Sequence, residues 1–474
     1  MLKSTLRVCL ISIALLIPCF WHGRIQAGDL SSHLYNAWLG TEIQAGRAQG
    51  LELTTPSTNV LFDRVLLWLT AAGGSSFAEH IAVPLAVLVL FWGGVVWIRV
   101  ATGAAPWFLM PCLAMLAYGW TFHNGFFNFY LGTGLTFWAL ALGWKPGLAR
   151  MAGAGAALAL AYHAQAIGPL WGAGVLVYVY AARWVREERR MWLMAGAIGM
   201  AGGLRILLDW RYETLSTSHQ VLEMVGIDQV WVFGPKYIAV SLALGLMWGF
   251  LLLRLENVAG WKSLLASIPF QLCAVMSLAI LILPTRVELP AYKAALAFIT
   301  ERITLPFGFL ICLLLSAARP PAWQKWGMAG VAVVFFSFLA VDTRALDRWE
   351  DEAGRAIAEL PRGARVVSSF RDWGSRVILG YFPAERACIG RCYSYQNYEA
   401  SSQAFQVVAR GPNVFVLTDP LDVAAVGAGT YVVRERDLPL FQLAECGAGR
   451  LCVKPLEAGA RIEAKELNLL PLWW

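Results

Sequence analysis

Apolar runs separated by short polar stretches recur along the first 340 residues of the chain. A membrane-spanning helix needs roughly 20 mainly apolar residues, and on that criterion the pattern predicts about eleven spans, several of them short. The predicted spans cover residues 6–21, 77–98, 107–120, 129–142, 149–164, 167–182, 191–208, 238–253, 264–283, 305–317 and 326–340. The sequence therefore predicts an α-helical multi-pass membrane domain over residues 1–341.

The composition agrees with this interpretation. The 474 residues are 58% hydrophobic and only 15% charged, with a mean hydropathy of +0.56, whereas soluble domains carry about 25% charged residues. The net charge of +7 does not indicate nucleic-acid binding, because the basic residues lie mostly in short loops between apolar runs, where they orient helices.

Short basic loops alternate with loops that hold most of the acidic residues. Because short basic loops face the cytoplasm, the N-terminus is predicted inside, and the long loop 22–76 and the C-terminal tail outside. The chain has no Asn-X-Ser/Thr sequon, which favours a bacterial inner membrane. A cleaved signal peptide is the alternative for the first apolar run; it also leaves the following loop outside.

The composition changes at Asp342, and residues 342–474 are predicted to form a small extracytoplasmic α/β domain. A helix is expected over 344–360, and strands are expected over 364–370, 414–418, 431–433 and 451–453. An even number of cysteines in an exported domain indicates disulfides. Local pairing of Cys388 with Cys392 and of Cys446 with Cys452 is favoured among three connectivities, with a four-thiolate zinc site as the rival.

The segment 28–33, with the sequence GDLSSH, follows the first span on the predicted outer side. Apolar residues recur at helical spacing from Leu30 to Trp38, which predicts an amphipathic helix lying along the membrane surface. Asp29 begins this helix, and an ordinary N-cap is one explanation for it. Its position beside the membrane favours a catalytic general base, with His33 on the same helix face.

Further polar residues on the predicted outer side are candidate substrate ligands. Asp63 is a candidate second carboxylate or metal ligand, although a weak surface ion pair is the alternative. In the loop 121–129, His123 and Asn124 are predicted to hydrogen-bond sugar hydroxyls while neighbouring aromatic rings stack on the sugar. An interfacial aromatic belt is an equally good explanation of that loop.

Four more residues complete the set of candidates. His163 lies within an apolar run, where a histidine is usually functional or packed against a polar neighbour. Arg286, Lys293 and Arg302 are predicted to bind a lipid phosphate at headgroup level, since arginine can bind phosphate through two hydrogen bonds. Snorkelling of these side chains to lipid headgroups is the alternative.

The order of the predicted elements resembles that of the GT-C superfamily of integral-membrane glycosyltransferases. It consists of one span, a long outer loop that opens with the segment 28–33, many further spans and an outer C-terminal domain. The segment 124–132, NGFFNFYLG, is also similar to a stretch after the third span in bacterial members. Many members carry a paired acidic motif in the first loop, but Leu30 follows Asp29 here. No metal ligand is therefore assigned, and a divalent metal stays an alternative.

The resemblance implies a polyprenyl-phosphate sugar donor, an extracytoplasmic glycan, lipid or protein acceptor, and inversion of the anomeric carbon. Asp29 would deprotonate the acceptor hydroxyl, and Arg286 or Arg302 would stabilise the leaving phosphate. A lipid or polysaccharide transporter or flippase, an O-antigen ligase or polymerase, and a sensor are the competing interpretations. Charges at span ends rather than at the bilayer midplane argue against an ion-coupled carrier.

Overall fold

A computed structural model describes residues 2–289, 295–372, 374–379, 383–411, 413–447, 449–467 and 470. The protein is mostly helical, at 64%, with a small strand-containing C-terminal region, as predicted. The helices are α1 (Leu2–Leu16), α2 (Leu30–Gln44), α3 (Leu61–Gly73), α4 (Ser75–Thr102), α5 (Met110–Ala117), α6 (Trp120–His123), α7 (Phe127–Gly143), α8 (Leu148–Ala164), α9 (Ile167–Trp184), α10 (Arg190–Arg211), α11 (Gln220–Glu223), α12 (Lys236–Ala259), α13 (Trp261–Ala266), α14 (Ile268–Ile282), α15 (Ile299–Leu315), α16 (Ala322–Ala358), α17 (Pro383–Cys388), α18 (Tyr398–Ser402) and α19 (Pro420–Gly427). The strands are β1 (Leu51–Leu53), β2 (Glu213–Leu215), β3 (Arg286–Glu288), β4 (Arg365–Ser368), β5 (Phe370–Arg371), β6 (Tyr393–Ser394), β7 (Val407–Ala409), β8 (Leu440–Gly447), β9 (Arg450–Leu456) and β10 (Lys465–Glu466).

Within the described ranges, four helices have the length and hydropathy needed to cross a membrane. These are Ser75–Thr102, Glu187–Arg211, Lys236–Val258 and Ala322–Ala358. Each of the other predicted spans also overlaps a helix, but those helices are shorter or less apolar. The four candidates support a membrane protein, while about eleven crossings and an inside N-terminus stay predictions.

The last apolar helix extends well beyond the predicted end of its span at residue 340. α16 continues without a break for 37 residues and includes the predicted surface helix at 344–360. The apolar residues give way to polar ones inside one helix, because the arginine-, glutamate- and alanine-rich segment that follows is itself a good helix former. A change in composition therefore did not mark a break in secondary structure.

The chain divides into two compact units. The first unit comprises Met1–Leu85, His123–Phe127 and Leu339–Trp474, and the second comprises Ala86–Phe122 and Asn128–Phe338. This division differs from the predicted one at residues 341 and 342, because the N-terminal 85 residues group with the C-terminal region.

The first unit contains a four-stranded sheet in the order β6-β4-β8-β9. β4 runs parallel to β6 and β8, while β9 is antiparallel to β8. The antiparallel pairing of β1 with β7 joins the first loop to the C-terminal region. The core of this unit combines α2, the end of α16 and the sheet through Tyr35, Leu39, Ile357, Val366 and Leu443.

The predicted strands of the C-terminal region are confirmed in part. Strands are present at 364–370 and 451–453, but the expectation at 431–433 is wrong, because only an isolated bridge from Val432 to Arg461 forms there. The expectation at 414–418 is also wrong: the side chain of Asn413 accepts hydrogen bonds from the amides of residues 415 and 416 in place of a neighbouring strand.

Both predicted disulfides are present. Cys388 is bonded to Cys392, and Cys446 is bonded to Cys452. The second bond links β8 to β9, which are adjacent and antiparallel. All four thiols are therefore committed to disulfides, and the alternative of a zinc site is wrong.

The second unit is built from helices packed around aromatic side chains. Trp97 stacks on Phe137, which also contacts Phe309. A Cβ atom at Gly94 would lie 2.3 Å from the ring of Phe309, so this glycine permits the close helix packing. β2 pairs with β3 in the same unit.

Candidate functional site

The segment that carries Asp29 is held by the backbone of the 123–125 turn. The amide of Gly28 donates to the carbonyl of His123 at 2.7 Å, and the amide of Asp29 donates to the carbonyl of Asn124 at 2.9 Å. Gly125 has a positive φ of 80°, and a Cβ atom there would lie 2.5 Å from the nitrogen of Asp29. Two segments singled out in the sequence, 28–33 and 124–132, thus meet through glycines that allow close backbone approach.

The helix that begins after Asp29 is not an amphipathic surface helix, and that expectation is wrong. Most residues of α2 are buried, including polar ones such as Ser32, His33 and Asn36. The reason is that α2 has packed neighbours on more than one side: α3, α17, β1 and β7 all contact it. In the first unit it is a central helix.

Asp29 is not an N-cap in the usual sense. Its side chain makes no capping hydrogen bond to α2. Instead, Oδ1 accepts a hydrogen bond from the Tyr398 hydroxyl at 3.1 Å, and Oδ2 lies 3.7 Å from Nε2 of His33. With 20% of its side chain exposed, the carboxylate is held by protein donors but accessible to solvent.

His33 forms a close ion pair with Asp63. Nδ1 of His33 lies 2.5 Å from Oδ1 of Asp63, and both side chains are largely buried. Burial disfavours the charge on His33, but the carboxylates of Asp63 and Asp29 outweigh it and raise the pKa of His33 to about 10. His33 is thus a cation at neutral pH, placed between two carboxylates.

Aromatic rings enclose this pair. The ring of Phe62 meets His33 edge-on at 5.8 Å and stacks on Phe127 at 4.9 Å. Water is therefore excluded from one side of the imidazolium, which strengthens its electrostatic interactions.

Two further carboxyl groups, Glu385 and Glu399, belong to the same cluster and were missed by the sequence analysis. Burial raises the pKa of Glu385 to about 8, and burial also raises that of Glu399 well above its usual value. The Ser32 hydroxyl donates to Oε1 of Glu399 at 3.2 Å. Neither oxygen of Glu385 has a hydrogen-bond partner of acceptable geometry among the described residues, although the hydroxyls of Ser32 and Ser394 are near enough to stabilise its charged form.

These pKa shifts determine the charge of the cluster. The raised pKa values favour the protonated forms of the two glutamic acids beside the cation His33. A buried group of four carboxylates beside one cation would carry a large desolvation cost, and protonation of two of them avoids it.

The segment just before Asp29 is anchored by buried charges. The Arg386 guanidinium contacts Oε1 of Glu79 at 2.8 Å and donates to the carbonyl of Ile25 at 3.0 Å. The amide of Ile25 in turn donates to Oε1 of Glu79 at 2.7 Å. The chain is thus fixed four residues before Asp29 by an ion pair that is less than one-tenth exposed.

The structure places His123 and Asn124, the predicted sugar ligands, inside the protein, and sugar binding by them stays a prediction. Both are buried: Nδ1 of His123 bonds the carbonyl of Gln26 at 2.9 Å, and Oδ1 of Asn124 accepts from the amide of Ile378 at 3.2 Å. Burial lowers the pKa of His123 to about 4, so its ring is neutral. These side chains shape the backbone around Asp29.

The stacking of aromatic rings of the same loop on a sugar stays a prediction, although most of these rings are buried. Phe122, Phe127 and Phe129 are each at most 2% exposed. The loop is largely a packed element, and Phe126 is its one phenylalanine that is only partly buried.

The remaining predicted ligands lie elsewhere in the chain. In the second unit, His163 is exposed in the last turn of α8, Arg286 pairs with Glu288 at 2.5 Å, and Arg302 is half-buried in α15. Lys293 lies outside the described residues. Phosphate binding by these cations stays a prediction.

The structure does not support a metal ion at the cluster of Asp29, His33 and Asp63. Within the ranges that the structure describes, no group of three or more His, Cys, Asp or Glu side chains could hold a metal ion. The close contact of Asp63 with His33 is an ion pair, which explains Asp63 without metal coordination.

The sequence carried one signal of the wider site. Polar residues at positions 29, 32, 33 and 36 follow helical spacing and lie on one side of α2. Their partners at 397–399 have no comparable local signal, because they lie more than 350 residues away in the chain.

The chain was also compared with models of known protein families, with characterised proteins and with solved structures, and none of the three comparisons finds a match.

Proposed function

We propose that the protein is a membrane glycosyltransferase that moves a sugar from a polyprenyl-phosphate donor to a hydroxyl group of an extracytoplasmic glycan, lipid or protein. The observation that supports this most directly is the setting of Asp29. Its carboxylate is partly exposed, is held at one oxygen by Tyr398, and lies beside the buried pair of His33 with Asp63. A positioned carboxylate of this kind is suited to act as a general base.

In the proposed reaction the acceptor hydroxyl donates a hydrogen bond to Asp29. As the acceptor oxygen attacks the anomeric carbon, its proton passes to the carboxylate. The bond from the anomeric carbon to the phosphate oxygen breaks, and its electron pair leaves with the polyprenyl phosphate. Attack opposite the leaving group inverts the anomeric carbon, and the phosphate needs no strong acid because it leaves as a stable anion.

His33 supports this role by balancing charge. Its imidazolium is held by Asp63 at 2.5 Å and stays charged well above neutral pH. The raised pKa values of Glu385 and Glu399 favour their uncharged forms beside the base. Together these features stabilise an ionised Asp29, which is the form that accepts a proton.

The proposal includes a membrane topology. The four long apolar helices support insertion, and the alternation of basic loops favours a cytoplasmic N-terminus. On this basis we place the Asp29 cluster on the outer face of a bacterial inner membrane, where lipid-linked sugars and their acceptors would meet.

The test is sugar transfer by the full-length protein in liposomes that contain radiolabelled polyprenyl-phosphate sugars. We expect Asp29→Asn to lower kcat by about 100-fold or more. The matched control is Asp419→Asn, because Asp419 caps α19 through Leu421 and asparagine is an equally good capping residue. Transfer that is undiminished in Asp29→Asn would refute the proposed role of the carboxylate.

The same liposomes distinguish the proposed glycosyltransferase from the principal alternative, a lipid flippase. Movement of the labelled lipid between leaflets without any transfer of sugar would identify a flippase and overturn the proposed reaction.

A further inference from the structure

The first turn of α18 contacts the polar side of α2 through three consecutive residues. Asn397 donates to Oδ1 of Asn36 at 2.7 Å. Tyr398 donates to Oδ1 of Asp29 at 3.1 Å, and Glu399 accepts from the Ser32 hydroxyl at 3.2 Å. Each residue of the turn thus has its own partner.

The position of Tyr398 is fixed independently of Asp29. The side chain of Asn397 accepts a hydrogen bond from the amide of Glu399 at 3.2 Å, which sets the start of α18. The ring of Tyr398 packs edge-on against Phe405 at 5.3 Å. A hydroxyl on a ring that is held in this way can orient the group to which it donates.

We infer that Tyr398 is a positioning residue for Asp29, and that the C-terminal region thereby completes the candidate active site of the first unit. The inference rests on the proposed function and goes beyond it. The Asp29 carboxylate can rotate about two side-chain torsions, and the hydrogen bond from Tyr398 fixes one of its oxygens. Its orientation toward the acceptor hydroxyl is therefore set before substrate arrives.

Correct orientation is a large part of general-base catalysis. A displacement of about 1 Å can cost about 100-fold in rate. Loss of the hydroxyl should therefore lower kcat, while KM changes little, because Tyr398 acts on Asp29 and does not itself need to touch the substrate.

The hydrogen bond also has a consequence for pH dependence. A donor to a carboxylate favours its ionised form. Without the donor, Asp29 should take up a proton at higher pH, and the acidic limb of the rate profile should move upward. The other titratable groups around Asp29 remain in place, namely His33, Asp63, Glu385 and Glu399.

The test compares Tyr398→Phe with Tyr395→Phe. Tyr395 is three residues away and also donates its hydroxyl to a buried carboxylate, Asp437, at 2.9 Å. Both variants lose one hydroxyl and one tyrosine–carboxylate hydrogen bond. We expect kcat to fall by about 10- to 100-fold and the acidic limb to move upward in Tyr398→Phe alone.

A second measurement does not depend on sugar transfer. A hydrophobic carbodiimide reacts with protonated carboxylic acids, and mass spectrometry of the peptide that contains Asp29 reports the labelled fraction at each pH. In the full-length protein, we expect the midpoint of labelling at Asp29 to move to higher pH in Tyr398→Phe and to match the wild type in Tyr395→Phe.

The two measurements distinguish the two proposals. A shifted labelling midpoint in a protein that transfers no sugar would overturn the proposed function but support the positioning of Asp29 by Tyr398. An unchanged labelling midpoint and acidic limb in Tyr398→Phe would overturn the positioning role, whatever the activity. An equal shift in Tyr395→Phe would also overturn it, since the effect would then be a general loosening of the unit.

Discussion

Glu385 should make the first unit less stable as the pH rises, and Glu385→Gln should remove that dependence. Glu385 is 2% exposed, and burial raises its pKa from 4.5 to about 8. Between these two values the folded state keeps a proton that the unfolded state has lost. Stability therefore falls as pH rises through this window.

The size of the effect follows from the two pKa values. Each pH unit between them is worth about 1.4 kcal/mol, so ionisation of Glu385 above pH 8 costs at most about 5 kcal/mol. Glutamine has nearly the same shape as glutamic acid and cannot ionise. Between pH 5.5 and pH 8.5 the change amounts to about 3 kcal/mol. At roughly 2–4 °C per kcal/mol for a domain of this size, the difference in melting temperature between the variant and wild type should grow by roughly 6–12 °C over this range.

The assay is thermal unfolding of the detergent-solubilised protein, followed by tryptophan fluorescence at both pH values. The groups that act on Glu385 are Ser32, His33, Asp29 and Ser394, and they are common to both proteins, so their titration largely cancels in the difference. Glu457→Gln is the control, because Glu457 is an exposed carboxylate of the same region. A difference between Glu385→Gln and wild type that stays constant across this pH range would refute the reasoning.

Two stability predictions use matched pairs and the same thermal assay. Gly125→Ala and Gly46→Ala both place a side chain at positive φ, but a Cβ atom at Gly46 meets nothing within 4 Å whereas one at Gly125 lies 2.5 Å from a backbone nitrogen. Gly46→Ala should therefore cost about 1–2 kcal/mol and Gly125→Ala clearly more, and equal losses would contradict the close packing of that turn. Arg386→Met leaves Glu79 without its buried cation and should cost about 3–5 kcal/mol, while Arg355→Met breaks an exposed pair and should cost at most about 1 kcal/mol.

The sequence predicted the helices well because an apolar run of sufficient length indicates a helix without reference to the rest of the fold. It was less informative about where helices end. α16 continues for 37 residues, and nothing local in an alanine- and arginine-rich segment separates a new surface helix from the extension of an existing one. The number of membrane-crossing helices also cannot be counted from apolar runs alone, because several of these runs form helices that are too short to cross a membrane by length.

The candidate site was predicted in part. Asp29, His33 and Asp63 do come together, and the first two could be paired in advance from helical spacing. His123 and Asn124 were expected to hydrogen-bond sugar hydroxyls because they lie among aromatic residues in a loop on the predicted outer side. They are buried because the turn that contains Gly125 packs its backbone directly against the segment before α2. That kind of contact depends on two distant segments meeting and leaves no pattern within either one.

The residue composition of α2 nevertheless indicated that its polar side is buried, although the helical spacing of the polar residues alone suggested an exposed side. A polar stripe at helical spacing is usually interpreted as a solvent-facing side, yet the same spacing arises when polar partners cover the stripe. Surface helices carry long charged side chains, whereas residues 30–41 contain no Lys, Arg, Glu or Asp, and His33 is the sole basic residue there. Short polar side chains without such charges indicate a face that is buried against hydrogen-bonding partners. Residues 397–399 are those partners, and a polar stripe of this composition should be examined first as part of a site.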